Sequence, residues 1–505
     1  MPTQIVLLMT DTTRRDMLNC YADTGLQSPH LDRLAAQGMR FDRAYTCQPV
    51  CGPARAALFT GQWPHTNGSW ANNIPLAAIT RHLGQRIKDA NPNKNIHTAY
   101  IGKWHLDASD YFGTGKCPDG WDPQYWYDMR NYLEELSPED RTRSRKMSTN
   151  RDPITADFTF SHRCSNRAID FLQKHKNEDF LLIVSYDEPH GPCLCPPPYC
   201  DMYQNYAFPK SPNVWDTLAD KPEHQRAWAG EKLNHDKAAR DALQITGRDF
   251  FGCQSFVDSE IGRVIDAIDR NTPDAMVIYT SDHGAALESH RLTDKGPAMY
   301  DEITRIPLIV RWPGKTPANT LCPHAVSHID VTPTILDAFG ILTEQTQKVL
   351  EGKSMLPTFR YPAIKPNDVI FMEFGRYEID HDSRAGLVPI RCAFDGRHKL
   401  SINLLSTDEL YDLDSDPYEM TNLIASPAHA AARNRLHDAI LHWLNATRDP
   451  FRGPAWERRP WRNDARPYTY SYTGYRRQRH PDIGEQLQLD YATGLPLTEM
   501  DVHTS

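Results

Sequence analysis

The sequence predicts an α/β fold: a large mixed, mostly parallel sheet flanked by helices, with a smaller C-terminal α+β subdomain that contains an antiparallel sheet. Two observations support the large sheet. Strand-length apolar runs alternate with helical patterns through the first two-thirds of the chain, and continuous apolar runs are typical of strands that are buried on both faces. In addition, a chain of 505 residues is too long for one small core, so we expect one large domain and a smaller one.

Five apolar runs are predicted to be strands of the large sheet. Each is rich in Val, Ile, Leu or Tyr, residues that favour buried strands. The runs are IVLLM (5–9), HTAYIG (97–102), FLLIVSY (180–186), AMVIYTS (275–281) and IPLIVRW (306–312).

Start and stop signals indicate the helices between these strands. Ser28 can cap a helix that has a proline in its first turn and ends at Gly38. A second helix is predicted to begin near Pro53 and to end at Gly61, and a third to cover 326–340.

The pattern changes after about residue 365, where short strand-like runs are joined by turns and followed by a helical stretch. We therefore expect an α/β domain over 1–365 and a smaller antiparallel-sheet subdomain with a helix over 366–449. The remainder, 450–505, is rich in Pro, Arg and Tyr without periodicity, and is predicted to be an irregular extension.

Composition and charge exclude several function classes. A net charge of −9 spread over the chain argues against a nucleic-acid partner. Eleven cysteines at irregular spacing do not resemble a disulfide framework, and Cys193, Cys195 and Cys200 lack the second cluster expected of a zinc site.

No run in the sequence reaches transmembrane length, so we expect no membrane partner. The apolar run at the N-terminus is short and reads as a strand rather than a signal peptide. The expected compartment is cytoplasmic, or periplasmic or secreted if a leader has been removed. The oligomeric state is unknown from the sequence.

Polar residues follow several predicted strands, where open α/β sheets bind their ligands. Two carboxylates with histidines suit a divalent cation, and lysines suit an anionic substrate. These strand-end residues are Asp11, Lys103, His105, Asp187, His190, Asp282 and His283.

The segment CGPAR places a cysteine next to a predicted helix start. The positive end of a helix would lower the pKa of the Cys51 thiol. Arg55 lies in the first turn, where it can hold an oxyanion or orient residue 51. Together with a cation and lysines, this arrangement suits transfer of a sulfuryl or phosphoryl group.

These motifs resemble the formylglycine-dependent type I sulfatases of the alkaline phosphatase superfamily, and are most similar to uncharacterised soluble bacterial members. The resemblance covers roughly 4–425. Its motifs occur in order along the chain: LLMTDTTRRD, CGPARAALFTG, GKWHLD, SYDEPHGP, TSDHG, KGPAMYDEITRIPLIVRWPG, VSHIDVTPTILD and ELYDLDSDPYEMTNL. The resemblance implies an alkaline phosphatase-like fold and hydrolysis of a sulfate ester.

The resemblance also implies a role for each matching residue. A separate maturation enzyme would oxidise Cys51 to Cα-formylglycine. The implied cation ligands are Asp11, Asp282, His283 and residue 51. The other implied catalytic residues are Arg55, which orients residue 51, Lys103 and Lys295, which bind sulfate oxygens, and His105 and His190, which transfer protons, with Lys295 as a competing proton donor.

The sequence departs from the family pattern at the cation site. Many members have two aspartates after the first strand, where this chain has Asp11 and Thr12, and many have Asp-Asn where it has Asp282 and His283. The resemblance implies Ca²⁺, but fewer carboxylates and one nitrogen ligand leave Mg²⁺ or Mn²⁺ open as alternatives.

The predicted substrate is a small sulfated molecule, preferably a sulfated sugar, because Trp and Tyr can stack on sugar rings and Arg can pair with a uronate. Ordinary loop packing is an equally open interpretation of each residue taken singly. The candidate substrate contacts are His65, Asn67, Trp70, Asn73, His290, Arg291, Arg376 and Tyr377.

Two other functions remain open. A phosphonate monoester hydrolase or phosphodiesterase of the same superfamily could use the same residues, including the unusual Thr12 and His283. A non-catalytic carbohydrate-binding relative would instead retain an unmodified Cys51.

Overall fold

The computed structural model describes residues 2–90, 96–107, 110–152, 154–382 and 385–465. Within these residues a nine-stranded mixed sheet and a four-stranded antiparallel sheet form the framework. The strands are β1 (Gln4–Asp11), β2 (Met39–Tyr45), β3 (His97–Gly102), β4 (Trp126–Tyr127), β5 (Phe180–Pro189), β6 (Met276–Ser281), β7 (Arg305–Ile306), β8 (Leu308–Arg311), β9 (Thr320–Ser327), β10 (Ile370–Phe374), β11 (Ile390–Phe394), β12 (His398–Asn403) and β13 (Glu409–Asp412).

Helices cover both faces of the large sheet and one face of the small one. They are α1 (Pro29–Gln37), α2 (Cys51–Thr60), α3 (Pro64–Asn67), α4 (Leu83–Ala90), α5 (Met129–Glu135), α6 (Pro138–Arg143), α7 (Phe160–Lys174), α8 (Tyr199–Met202), α9 (Glu223–Ala229), α10 (Lys237–Ala242), α11 (Arg248–Asn271), α12 (Asp301–Thr304), α13 (Val331–Ala338), α14 (Glu344–Val349), α15 (Leu356–Arg360), α16 (Ala430–Ala446) and α17 (Pro454–Glu457). None of the described helices is both long and apolar enough to span a bilayer.

The central strand β1 explains why the sheet needs two helical layers. All of its residues are buried. Ile5, Leu7 and Met9 face one hydrophobic core, whereas Val6 and Leu8 face the other. Because side chains alternate along a strand, a continuous apolar run can be buried only if both faces are covered.

The strand order is β4-β3-β5-β1-β6-β8-β2-β7, with β9 beside β2. The strands from β4 to β6 in this order are parallel, and β8 is antiparallel to β6 and to β2. The carboxyl ends of β3, β5, β1 and β6 therefore lie side by side at one edge of the sheet.

The five predicted strands are all present, and the predicted fold class is confirmed. The predicted run 306–312 is divided between β7 and β8, on either side of Pro307. Sequence analysis missed β2, β4 and β9. β2 carries half-buried charged residues, including Asp42 and Arg43, and so lacks the continuous apolar run used to find the others.

The first predicted helix is α1, but Ser28 does not cap it with its side chain. The carboxylate of Asp258 on α11 does so instead, because its oxygens accept hydrogen bonds from the backbone N–H groups of His30 (3.1 Å) and Leu31 (2.9 Å). The capping residue is thus far from α1 in sequence, so the local sequence around the helix does not reveal it.

The two other predicted helices differ from their expected bounds. α2 begins at Cys51, two residues before the expected start at Pro53, so the cysteine itself is in the first turn. The predicted helix over 326–340 is shorter: 326–327 end β9, and α13 covers Val331–Ala338.

The small sheet has the order β10-β11-β12-β13 and packs against α16. Leu400 and Ile402 of β12 belong to the same hydrophobic core as Leu436 and Ile440 of the helix. The predicted domain boundary near 365 lies between α15 and β10. Of the predicted extension, 450–465 include α17, and the rest lies outside the described residues.

Candidate active site

Four side chains of metal-ligand type converge at the carboxyl edge of the large sheet. Asp11 ends β1, Asp282 and His283 follow β6, and Cys51 begins α2. All four are buried, and their potential ligand atoms lie within 4.8 Å of one another. Sγ of Cys51 lies 3.2 Å from Nε2 of His283 and 3.7 Å from Oδ1 of Asp11. We call these residues the quartet.

His283 directs the lone pair of its Nε2 toward the other three residues of the quartet. Its Nδ1 lies 2.9 Å from the carbonyl oxygen of Gly284 and can donate a hydrogen bond to it, so that Nε2 is left unprotonated. Burial and the charge of Lys295 hold the pKa of His283 well below its usual value. A histidine whose outer nitrogen donates to a carbonyl is the usual form of a metal ligand.

Thr12 stands where the resembled family often has a second aspartate, and it makes hydrogen bonds with the two carboxylates of the quartet. Its hydroxyl donates to Oδ1 of Asp11 (2.7 Å), and its backbone N–H donates to Oδ1 of Asp282 (3.2 Å). The residue adopts a left-handed backbone with φ of 69°, which is strained for a β-branched residue. Thr12 thereby fixes the orientation of both carboxylates without adding a third.

Arg55 counterbalances the two buried carboxylates. Its guanidinium lies 3.3 Å from Oδ2 of Asp11 and 3.1 Å from Oδ2 of Asp282. It also donates to the hydroxyl of Ser185 (2.7 Å). Burial and the charge of Asp11 raise the pKa of Asp282 to about 7. The close carboxylates repel each other, and a divalent cation between them would relieve that repulsion.

Lys103 is positioned by the approach of β3 to β5. Gly102 has φ of 120°, and a Cβ there would lie 1.9 Å from the carbonyl oxygen of Ser185, so a glycine is required. The Lys103 ammonium contacts Oδ2 of Asp11 at 2.7 Å and Oδ1 of Asp187 at 3.0 Å. Burial alone would raise the pKa of Asp11, but the charge of Lys103 holds it well below its usual range.

Lys295 points a buried ammonium at the quartet. Its Nζ lies 4.0 Å from Oδ1 of Asp11 and has no hydrogen-bond partner in the part of the chain that the structure describes. Burial would lower the pKa of Lys295, but its surroundings, first Cys51 and Tyr377, raise it well above the usual value. An unsatisfied buried ammonium is costly, and the oxygens of an anionic substrate would satisfy it.

Tyr111 is a site residue that sequence analysis missed. Its hydroxyl lies 2.8 Å from Nζ of Lys103 and 2.9 Å from Nδ1 of His190, and it donates to Asp187. Its ring lies between the imidazoles of His105 and His190, with centroid distances of 5.2 and 5.3 Å. No strand or motif marks this loop position, so no sequence signal identified it.

Both predicted proton-transfer histidines are neutral in this environment. Burial and the charges of Lys295 and Lys103 lower the pKa of His190 to about 4. Burial and the charge of Lys103 also hold the pKa of His105 well below its usual value. Nδ1 of His105 is buried without a hydrogen-bond partner among the described residues. One nitrogen of each imidazole is therefore unprotonated at neutral pH.

The expectation that the helix start would lower the pKa of the Cys51 thiol is wrong. Burial, followed by the charge of Asp11, raises it to about 12. Cys47 is also buried, and its sulfur lies 3.3 Å from the hydroxyl of Ser327, away from the quartet. An unmodified Cys51 would consequently remain a protonated thiol and a poor nucleophile.

Two of the predicted substrate contacts lie beside the predicted catalytic residues. Asn73 places Oδ1 3.3 Å from Nε2 of His105, and donates through Nδ2 to Glu378 (2.6 Å) and Asp380 (2.7 Å). The phenol of Tyr377 is close enough to help raise the pKa of Lys295. The loop after β10 thus reaches the rim of the site.

Four other predicted substrate contacts are held by protein partners. His65 forms a hydrogen bond with Glu373, and its Nε2 lies 2.8 Å from the hydroxyl of Thr447. The side-chain amide of Asn67 makes hydrogen bonds only within the segment 60–69 among those described. His290 stacks on Tyr300 with centroids 3.6 Å apart, and Arg291 donates to backbone carbonyls of 216–235. These contacts hold the fold together, and a role in substrate binding stays only a prediction for these four.

The last two candidates are half-buried and also have partners. Trp70 packs edge-on against Phe451, with centroids 5.8 Å apart. Arg376 pairs with Asp382 and donates to the carbonyl oxygen of Glu378 (2.9 Å). Because Arg376 is already paired with a carboxylate, pairing with a substrate uronate would require it to leave that partner.

The buried cysteines Cys193, Cys195 and Cys200 pack with Cys253 in a small apolar core. The groups of potential metal ligands found among the described residues do not include them.

The chain matches two family descriptions. Residues 3–341 match Sulfatase, and residues 288–446 match N-sulphoglucosamine sulphohydrolase, C-terminal. The chain is also 43% identical over 502 residues to the uncharacterized sulfatase YidJ of Escherichia coli strain K12, an alignment that covers 97% of this chain and 96% of that protein.

Solved structures show the same fold. BT4656 in complex with its substrate D-glucosamine-2-N,6-O-disulfate has a TM-score of 0.71 at 20% identity, over 89% of this chain and 99% of that one. The phosphonate monoester hydrolase SpPMH from Silicibacter pomeroyi has a TM-score of 0.68 at 22% identity, over 88% of this chain and 96% of that one. The shared fold is alkaline phosphatase-like.

Proposed function

The chain belongs to the sulfatase family and is a sulfuric ester hydrolase, and we propose that it hydrolyses the sulfate ester of a sulfated sugar by means of a formylglycine derived from Cys51 and a divalent cation. The observation that carries this proposal is the convergence of Cys51 with Asp11, Asp282 and His283 on one buried point. A separate maturation enzyme would oxidise Cys51 before the site can act.

The quartet fits a divalent cation. Asp11 and Asp282 offer carboxylate oxygens, His283 offers Nε2, and residue 51 would offer an oxygen after its conversion. When bound, the cation would neutralise negative charge on the sulfate oxygens and on the attacking group. We propose Ca²⁺, with Mg²⁺ and Mn²⁺ as the alternatives that a mixed oxygen and nitrogen set admits.

Hydrated formylglycine supplies two hydroxyl groups, one to attack sulfur and one whose deprotonation later releases sulfate and restores the aldehyde. Arg55 holds the carboxylates around residue 51 in place. Lys103 and Lys295 bind the non-bridging sulfate oxygens, where charge must be neutralised in the transition state. His105, neutral and with a free nitrogen, takes the proton from the second hydroxyl.

The proton for the departing alcohol can come from His190 or from Lys295. Attack forms the bond between residue 51 and sulfur, and the bond from sulfur to the ester oxygen breaks, so that oxygen must gain a proton. His190 is neutral in the substrate-free protein, whereas Lys295 retains its proton. This difference favours Lys295 as the donor and leaves His190 to orient the leaving group or to accept a proton.

A sulfated sugar is the proposed substrate class. Support comes from BT4656, whose substrate is a disulfated glucosamine, and from the C-terminal match to a family named for N-sulphoglucosamine. The polar rim formed by Asn73, Glu378 and Asp380 offers acceptors for sugar hydroxyls.

The proposal is tested by peptide mass spectrometry over 44–55 and by a substrate panel. Conversion of Cys51 replaces CH₂–SH by an aldehyde and lowers the peptide mass accordingly. The converted protein should release sulfate from sulfated mono- and disaccharides. An unmodified Cys51 after expression with the maturation enzyme would support the non-catalytic alternative instead.

A phosphonate monoester hydrolase or phosphodiesterase is the second candidate. It is favoured by Thr12 and His283, which depart from the common sulfatase pattern, and by the shared fold with SpPMH. Aryl sulfate, phosphate diester and phosphonate monoester substrates with the same leaving group separate the two. A higher kcat/KM for the phosphorus esters would favour this candidate.

A further inference from the structure

A second cluster of metal-ligand side chains lies at the opposite edge of the large sheet. His97 is the first residue of β3, His175 follows α7, and Glu178 lies just before β5. β3 and β5 are parallel and end at the active site, so their first residues lie at the far edge. At about 3.3 Å per residue, the length of β3 separates this cluster from the active site by roughly 20 Å.

The three side chains converge on one point. Nε2 of His97 lies 3.3 Å from Oε2 of Glu178, and Nδ1 of His175 contacts the same carboxylate oxygen. The two imidazole centroids are 4.2 Å apart, and the three potential ligand atoms lie within 4.8 Å of one another. Ligands about 2.0–2.2 Å from one tetrahedral ion would have comparable separations.

Each imidazole also has a polar partner on its outer side. Nδ1 of His97 lies 3.5 Å from Oδ2 of Asp122, and Nε2 of His175 lies 2.5 Å from the hydroxyl of Tyr125. Donation from Nε2 of His175 to Tyr125 would leave its Nδ1 lone pair facing Glu178, and Nε2 of His97 faces the same carboxylate. Histidines that ligate a metal almost always have such an outer partner.

The cluster is accessible from solvent. The side chains of His97 and His175 are 14% and 10% exposed, whereas that of Glu178 is 47% exposed. An ion could therefore enter past Glu178 and keep water in its remaining position. Two imidazoles with one carboxylate suit Zn²⁺ or a similar transition metal, and are a poor set for Ca²⁺ or Mg²⁺.

We propose that His97, His175 and Glu178 form a binding site for a transition-metal ion of the zinc type, distinct from the catalytic cation site. The ion would tie the start of β3 to the connection between α7 and β5. The proposal does not depend on the proposed function, since none of these residues contacts the quartet.

Binding is measured with Co²⁺ and Zn²⁺ on the full chain that carries Cys51→Ser and Asp282→Asn, which together remove the thiol from the quartet and weaken it. Titration should give one Co²⁺ site with d–d absorption and without the thiolate charge-transfer bands that a cysteine site would show. Adding Glu178→Gln or His97→Gln should weaken the Zn²⁺ affinity by at least about tenfold, while excess Ca²⁺ should not compete.

His398→Gln is the matched control, because His398 also begins a strand and lies 3.9 Å from a carboxylate, that of Asp395. It should leave Zn²⁺ affinity unchanged. The proposal is overturned if the protein with Cys51→Ser and Asp282→Asn binds no Zn²⁺, if its Co²⁺ spectrum shows thiolate ligation, or if adding Glu178→Gln and His97→Gln leaves Zn²⁺ binding unchanged. Glu178→Gln changes a half-exposed side chain without altering its shape, so loss of folding does not obscure the result.

Discussion

The hydroxyl of Tyr111 lies 2.8 Å from the ammonium of Lys103 and donates its proton to Asp187. Lys103 in turn contacts Asp11 at 2.7 Å. The tyrosine therefore connects Lys103, the proposed ligand of sulfate oxygens, with His190, which it contacts at 2.9 Å. We predict that Tyr111 is a positioning residue that acts through these two groups of the candidate active site.

Tyr111→Phe should lower kcat by about 10- to 100-fold, with a smaller effect on KM, because Lys103 and His190 lose a common partner. Steady-state kinetics on the best sulfate ester measures this, with a kcat/KM profile against pH to detect a change in titration. Tyr132→Phe is the control: Tyr132 is also buried, and its hydroxyl donates to the carbonyl oxygen of Phe158 at 2.7 Å. Equal losses in the two variants would contradict a positioning role for Tyr111.

His283→Asn should change the preference for the catalytic cation. An amide oxygen replaces the nitrogen ligand, so the ratio of activation by Mn²⁺ to activation by Ca²⁺ should fall by on the order of tenfold. Activity is measured after chelation and after addition of each ion. His290→Asn, at a buried histidine that bonds Asp216, should leave the ratio unaltered. An unchanged ratio in His283→Asn would show that His283 does not ligate the ion.

Cys51→Ser should abolish turnover in an aerobic host, whereas Cys47→Ser should leave both conversion and turnover intact. Cys47 is fully buried and contacts Ser327, and a serine can make the same contact. Peptide mass spectrometry reports conversion, and sulfate release reports turnover. Loss of conversion in Cys47→Ser would show that the maturation enzyme recognises residues further upstream than the CGPAR segment.

His82 should destabilise the fold at acidic pH. Burial lowers the pKa of His82 to about 3, against about 6.5 in an unfolded chain. The unfolded state binds the proton first, so the contribution to stability is complete above pH 6.5 and decreases as pH falls toward 3. Between pH 6.5 and pH 5 the free energy of unfolding should fall by about 2 kcal/mol because of His82.

Chemical denaturation at pH 7 and pH 5 tests this dependence. His82→Asn should lose less unfolding free energy between the two values than the parent protein, even if it is less stable at both. His442→Asn, at an exposed histidine of α16, should show the parental difference. A parental difference in His82→Asn as well would mean that His82 is protonated equally in the folded and unfolded states.

The sequence by itself determined the apolar strands of the large sheet and the polar residues at their ends. A continuous apolar run such as 180–186 can be satisfied only in a strand covered on both faces, so the fold class follows from local pattern. Because parallel strands end at a common edge, the sequence also predicts that Asp11 and Asp282 lie close together.

Only the tertiary structure decided which of the candidate residues share a site and in what state of charge. Tyr111 reaches the site from a loop without a motif, while His65 and His290 are held elsewhere by Glu373 and Asp216. The pKa of Cys51 rises although the residue begins a helix. The reason is physical: burial and the charges of distant residues act through space, and neither the separation of two side chains nor their exposure to water is encoded in a local pattern.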